Sequence, residues 1–148
     1  MRIVPTLSLL PKVSDCNSIY FDKTCCRESG LQYIEYSNNL PFIAKRIYYL
    51  YNIEPAYKRG NHAHKSLKQC LIPLRGKVEV LLTDGKERKV INLFDPTIGL
   101  MIQPLIWKEL YFTSKETVCL IIASENYSET DYIRNFDDFL LLRNFDRS

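Results

Sequence analysis

From residue 45 to residue 123 the chain repeats one local pattern: a short apolar or aromatic run, then a turn signal, at roughly ten-residue spacing. Runs of this kind lie at 45–52, 69–74, 78–82, 88–93, 100–103, 107–112 and 117–123. Val78, Val80 and Leu82 alternate with Lys77, Glu79 and Leu81, the period of a half-buried strand. Asp84-Gly85 then predicts a two-residue hairpin turn. The run at 117–123 is apolar on both faces, as a buried central strand is. Ahead of these, 3–10 reads as an edge strand carrying Pro5, and 18–21 and 31–36 as short aromatic strands, with a loop at 38–41. The tail changes period: Asp137 is placed to cap a short helix with Phe139, Leu140 and Leu142 on or near its apolar side. Roughly eight to ten short strands and one terminal helix predict a single all-β domain over 1–148, a sandwich or barrel.

Composition narrows the function. Ten Tyr, seven Phe and one Trp favour strands over helices. The net charge is only +3 and the basic residues are scattered, so no nucleic-acid footprint is expected, whereas an anionic small molecule is compatible. No apolar run approaches the roughly 20 residues of a membrane helix. The segment 3–10 is too short for a secretory signal core, which predicts a cytoplasmic protein with no membrane partner. Cys16, Cys25, Cys26, Cys70 and Cys119 show no CxxC spacing, and their odd number favours free thiols; Cys70 and Cys119, set in apolar runs, are expected to be buried.

Chemistry concentrates in Arg59-Gly60-Asn61-His62-Ala63-His64-Lys65, which holds both histidines of the chain. On a strand, residues two apart share a face, so the imidazoles stand side by side. A metal site wants three good ligands and an open position. Gln69 is a weak ligand and no third His exists, although Glu109 would complete a two-His-one-carboxylate set. The metal-free reading is preferred: two imidazoles near neutral pH suit proton transfer between adjacent carbons. Like groups in one cavity also push each other's titrations apart.

His62, His64, Gln69 and Gly76 resemble the first motif of the cupin superfamily, and the segment Pro104 to Glu109 lacks the Gly and His of the second. Four stretches in order, beginning at Lys45-Arg46, Arg59-Gly60, Gln69-Cys70 and Glu129-Thr130, look like the nucleotide-sugar 3,4-ketoisomerases, the WxcM-like metal-free cupins. The resemblance covers about residues 28 to 140. It implies a homodimeric jelly-roll barrel, without metal or cofactor, acting on dTDP-4-keto-6-deoxyglucose. The keto group moves from carbon 4 to carbon 3, ahead of an aminotransferase that makes a 3-amino sugar for a surface polysaccharide. In the family the first His of the motif is the base, which falls on His62. His64 would then shuttle protons to the oxygens or to carbon 4. A tyrosine of the pair Tyr48-Tyr49 would hydrogen-bond the enediol; both faces of that strand carry aromatics, and Tyr49 is taken as the catalytic one. Two departures from the family pattern stand out: Arg27 is displaced in Cys26-Arg27-Glu28-Ser29-Gly30, and the family's Trp-His-Glu is Trp107-Lys108-Glu109, with Lys108 expected to be exposed.

Around the pair, Arg46, Tyr48, Arg59, Lys65 and Gln69 are the candidate substrate-binding residues, Arg59 and Lys65 for a pyrophosphate. Trp107 and Tyr132 are expected to be packing residues. A 3,5-epimerase of the same jelly-roll class ranks lower because no Asp adjoins His62 in sequence. A metal-dependent cupin and a non-catalytic sugar-nucleotide binder complete the alternatives.

Overall fold

The computed structural model describes residues 10–21 and 30–143. Their regular structure runs β1 (Ser18–Tyr20), β2 (Arg46–Leu50), β3 (Arg59–His64), β4 (Gln69–Arg75), β5 (Val78–Thr83), β6 (Arg88–Leu93), β7 (Ile98–Ile102), β8 (Trp107–Phe112), β9 (Val118–Ala123), β10 (Tyr132–Ile133) and α1 (Phe136–Arg143). Two five-stranded sheets result, ordered β1-β7-β4-β9-β2 and β10-β3-β8-β5-β6. Strand pairing is antiparallel throughout. This is the jelly-roll arrangement of a cupin, with one short helix at the end.

The core between the sheets is built by alternation. Leu71, Leu100, Ile102, Cys119 and Ile121 come from the first sheet; Val78, Val80, Leu82, Leu110 and Phe112 come from the second. The outer face of the first sheet is closed by Phe21, Leu40 and Phe42 against Cys70, Ile72, Met101 and Ile122. The outer face of the second is closed by α1, whose Phe139 packs with Ala63, Trp107 and Ile133. Trp107 is thus a packing residue on the far side of the sheet from the pocket. Cys16, Cys70 and Cys119 are free and buried.

Several expectations are adjusted. The predicted strand at 3–10 lies outside the described residues apart from Leu10, as do Cys25, Cys26 and Arg27. Residues 31–36 do not form a regular strand; Tyr36 makes an isolated bridge to Leu40. The hairpin turn is centred one residue later than expected, on Gly85-Lys86. Gly85 takes φ +93°, and the Asp84 carboxylate accepts the backbone N–H groups of Lys86 and Glu87, each at 2.9 Å. The helix begins earlier, at Phe136, because Asn135 caps it: its side-chain oxygen accepts the Asp138 N–H at 3.0 Å. Strand β10 was not anticipated, and it proves important because it lies against β3.

Candidate active site

A cavity of about 450 Å³ opens between the two sheets. Leu50, Leu71, Leu110 and Ile121 contribute its apolar walls, and Arg46, Tyr48, Arg59, His62, Lys108, Tyr132 and Arg134 its polar ones. A backbone irregularity in β3 decides which side chains reach it. Arg59 pairs with Leu110 and Gly60 with Glu109, yet His62 pairs with Lys108, so Asn61 is an extra residue. Gly60 and Asn61 both take positive φ, +77° and +57°. A Cβ on Gly60 would lie 3.0 Å from the Lys108 carbonyl oxygen, which leaves glycine as the residue that fits. The bulge restores His62 to the inward-facing register shared by Lys108 and Leu110.

The two imidazoles meet as their spacing predicts, with ring centroids 4.8 Å apart and planes near perpendicular. His62 Nδ1 lies 2.7 Å from the Gly60 carbonyl oxygen, and its Nε2 lies 3.2 Å from Nε2 of His64. His64 Nδ1 in turn lies 3.2 Å from Oδ2 of Asp131. Asp131 is fixed by the loop after β3: its Oδ1 accepts the backbone N–H of Ser66 at 2.9 Å and the Ser66 hydroxyl at 2.7 Å. Tyr132, opposite His64 in the β10 pairing, covers both imidazoles at centroid distances of 4.9 and 4.4 Å. Burial, followed by the Lys108 charge, pushes the His62 pKa down to about 3 and that of His64 to about 2. Both rings are therefore neutral at pH 7.

Three hydrogen-bond contacts (Gly60 O, the ring–ring contact and Asp131) need three ring N–H groups, but a neutral pair carries two. Each carbonyl or carboxylate oxygen can only accept, so both Nδ1 atoms hold the protons. The two Nε2 lone pairs then face each other, and one added proton would join them. At rest the pair is neutral, with its two Nε2 atoms placed to share one added proton.

On the other wall a second chain of contacts starts from Lys108. This side chain is 3% exposed, against the expectation of a surface lysine, because it shares the inward parity of Leu110 and Phe112. Its ammonium donates to Oε1 of Gln69, and Nε2 of Gln69 donates to the Tyr48 hydroxyl oxygen at 2.8 Å. An ammonium only donates, so the amide orientation of Gln69 is fixed and Tyr48 must accept. The Tyr48 O–H is left to point its own proton elsewhere, and burial raises its pKa to about 12, keeping it protonated. Burial, then the Arg46 charge, pushes the Lys108 ammonium from 10.5 down to about 7, opposed by Cys16.

Among the sequence-predicted site residues, His62, Arg46, Tyr48 and Arg59 line the cavity. His64 and Gln69 sit directly behind it, 4% and 1% exposed. Tyr49 is a correction: it is 61% exposed on the outer face of β2, since its neighbour Tyr48 takes the inward position of the alternating strand. Lys65 is a correction too. It is exposed and borders a separate cleft with Ser66, Glu125 and Thr130. Glu109 points away from His62, bonded to Tyr111 at 2.7 Å and paired with Lys58 at 3.3 Å, so it does not complete a ligand set. Sequence reasoning missed Asp131, the pocket-facing position of Tyr132, and Lys108.

Comparisons with known proteins identify the family. The family model described as FdtA: WxcM-like, C-terminal matches residues 14–144. A TDP-4-oxo-6-deoxy-alpha-D-glucose-3,4-oxoisomerase of Aneurinibacillus thermoaerophilus is 40% identical over 121 residues, 82% of this chain and 87% of that protein. QdtA of Thermoanaerobacterium thermosaccharolyticum, a sugar 3,4-ketoisomerase solved in complex with TDP, superposes with a TM-score of 0.87 at 38% identity, covering 92% of this chain and 99% of its own. WlaRA of Campylobacter jejuni, a TDP-fucose-3,4-ketoisomerase, gives 0.84 at 32% identity, covering 89% and 98%. Fold, site and these likenesses together define a jelly-roll isomerase. The chain belongs to the FdtA, WxcM-like family.

Proposed function

We propose that this chain converts dTDP-4-keto-6-deoxyglucose into a dTDP-3-keto-6-deoxyhexose. The observation that carries the reading is the neutral His62–His64 pair, backed by Asp131 and facing a cavity wide enough for a sugar ring. The carbon 3 proton is acidic because a carbonyl adjoins it. His62 Nε2 takes that proton and shares it with Nε2 of His64, completing the third contact of the chain while Asp131 stabilises the imidazolium. In the empty pocket the pair stays unprotonated at pH 7, because burial and the Lys108 charge lower both pKa values. It gains a proton together with the enediolate, whose negative charge offsets the positive. Tyr48, rather than Tyr49, donates to the enediolate oxygens. The hydroxyl proton on the carbon 3 oxygen passes to the carbon 4 oxygen, and protonation of carbon 4 by the imidazolium then leaves the carbonyl at carbon 3. His64 acts through His62, since it lies behind the cavity wall that His62 lines and its Nδ1 is held by Asp131.

Arg46 and Arg59 supply cations at the cavity wall for the pyrophosphate, joined by Arg134. Metal-free chemistry is supported by the donor set: the Gln69 oxygen, in the third-ligand position, is already bonded to an ammonium, and proton transfer within one ring is redox-neutral, so no cofactor is called for. The product's 3-keto group is a substrate for transamination, which supports a place in making a 3-amino-3,6-dideoxyhexose for a surface polysaccharide. A cytoplasmic setting is supported by the free thiols of Cys16, Cys70 and Cys119, and no helix among the described residues is long and apolar enough to cross a membrane. A homodimer is supported by the edge strand β2, where Ile47 and Tyr49, and Tyr51 just beyond the strand, are each more than 60% exposed.

The test is incubation with dTDP-4-keto-6-deoxyglucose in deuterated water, followed by NMR. A 3-keto product carrying deuterium at carbon 4 is expected. Exchange at carbon 5 with the keto group left in place would instead identify a 3,5-epimerase, and an unchanged substrate would overturn both.

A further inference from the structure

His64 does not reach the sugar oxygens, because it is buried behind the cavity wall that His62 lines and its Nδ1 is held by Asp131. The enediolate nevertheless needs a positive partner. Lys108 lies directly across from His62 in the β3–β8 pairing, faces the cavity and is buried. One of its three donors goes to Gln69, and no other partner is found for it among the described residues. A buried ammonium with so few bonds is expensive to keep unless a negative charge develops beside it.

We propose that Lys108 is a further catalytic residue, whose ammonium neutralises the enediolate oxygens directly and, through Gln69, holds the Tyr48 O–H toward them. This rests on the isomerase reading above. In the step, the carbon 3–hydrogen bond breaks and its proton goes to His62. The bonding pair becomes the carbon 3–carbon 4 π bond, and the carbonyl π pair moves onto the carbon 4 oxygen, where Lys108 and Tyr48 donate. The carbon 3 hydroxyl proton then passes to the carbon 4 oxygen, the imidazolium returns its proton to carbon 4, the carbonyl forms at carbon 3, and Lys108 is unchanged.

Charge on Lys108 also gives the reaction a pH limit. The charged and titratable groups that line the cavity with it or adjoin it are His62, with His64 behind it, and Arg59 from β3, Lys58 just before that strand, Tyr48 and Arg46 from β2, Cys16 from the turn before β1, and Tyr127, Tyr132 and Arg134 on the β10 side. Both histidines lose their charge far below pH 6, and burial holds the Tyr48 hydroxyl and the Cys16 thiol in their protonated forms upward of their usual ranges. Burial brings Lys108 down to about 7, so its charge changes within the pH range of the assay.

The experiment compares pH profiles of kcat and kcat/KM on dTDP-4-keto-6-deoxyglucose for wild type, Lys108→Met and Lys108→Arg, with folding followed by circular dichroism. Wild-type kcat/KM should fall above about pH 7. Lys108→Met should lose about 10²–10³-fold in kcat, the size of one lost oxyanion donor, with KM changed only a few-fold and no limb between pH 6 and 9. Lys108→Arg should keep the charge at higher pH, holding kcat within about tenfold and removing the alkaline fall. Where the arginine is too large to fold, the Met profile decides alone. If wild type converts the substrate and Lys108→Met stays within threefold, or keeps the alkaline limb, the lysine role is overturned and the isomerase reading stands. If wild type leaves the substrate unchanged, the isomerase reading fails and the lysine role with it.

Discussion

Replacing Lys108 by Met should stabilise the fold while it removes activity. Burial takes the ammonium from 10.5 to about 7, and each pKa unit is worth about 1.4 kcal/mol, so a charged Lys108 costs the folded state up to about 5 kcal/mol. The sign follows from proton counts. Below pH 7 both folded and unfolded chains carry the charge, and the full cost is present. Between pH 7 and 10.5 the unfolded chain keeps the proton and the folded one does not, so wild-type stability rises with pH. Methionine matches the length of the aliphatic stem but leaves the buried Gln69 oxygen without its donor, at about 1–3 kcal/mol. The net gain at pH 7 is therefore about 2–4 kcal/mol. At pH 9.5 only about 1 kcal/mol of the ammonium cost remains, and the advantage falls by about 3 kcal/mol, to zero or below. The raised thiols of Cys70 and Cys119 titrate alike in both proteins and cancel in the comparison. Urea unfolding at the two pH values reads this as a midpoint shift of roughly 1–2 M at pH 7 that vanishes at pH 9.5, with unchanged m. A variant less stable than wild type at pH 7, or a difference independent of pH, would refute the buried ammonium.

Other outcomes are open to direct measurement. His62→Asn should abolish turnover, by about 10³-fold or more, while leaving substrate affinity by calorimetry within a few-fold. Asp131→Asn should lower kcat by about 10–100-fold, because the carboxylate that stabilises the imidazolium becomes a neutral amide; an unchanged kcat would remove Asp131 from the proton chain. Since both histidines are depressed, the unfolded chain takes up protons that the folded chain refuses between pH 6.5 and about 3, so stability falls with acid across that window. His64→Gln should weaken that acid sensitivity by roughly 2 kcal/mol at pH 4.5 in pH-dependent denaturation curves. Tyr49→Lys, on the outer face of β2, should convert a dimer to a monomer by light scattering with little change in the pocket, whereas Tyr48→Phe should keep the mass and lose kcat.

How much of this was legible depends on the distance over which each contact acts. The histidine pair was legible because strand parity operates over two residues. Tyr48 and Tyr49 were not separable by parity alone: both faces of β2 are aromatic, and it takes the pairing with β9 to say which side meets the core. Asp131 was out of reach, since its contact with His64 spans 67 residues and depends on β10 docking beside β3. Lys108 is the instructive failure. Its parity with Leu110 and Phe112 marks an inward position, and the charge was allowed to outvote the pattern. A lysine breaking an otherwise apolar inward row is a signal for a built site, not for exposure.

The two halves of the pocket make sense only together. A base that must take a proton from carbon near pH 7 works best neutral, and the Lys108 charge helps keep the imidazoles so. An oxyanion partner must carry charge when the anion forms, and burial brings that charge close to being lost. Placing the two across one strand pair links these demands: the ammonium that lowers the basicity of the empty site is the same group whose field the enediolate cancels. As the anion forms, the penalty on imidazolium formation falls at the moment the proton arrives. In the proposed mechanism, removal of the substrate's proton by His62 and stabilisation of the resulting charge are then one coupled event. That coupling predicts that deleting the lysine and deleting the base cost less in combination than the sum of their separate losses, because either deletion alone already prevents the charge pair from forming.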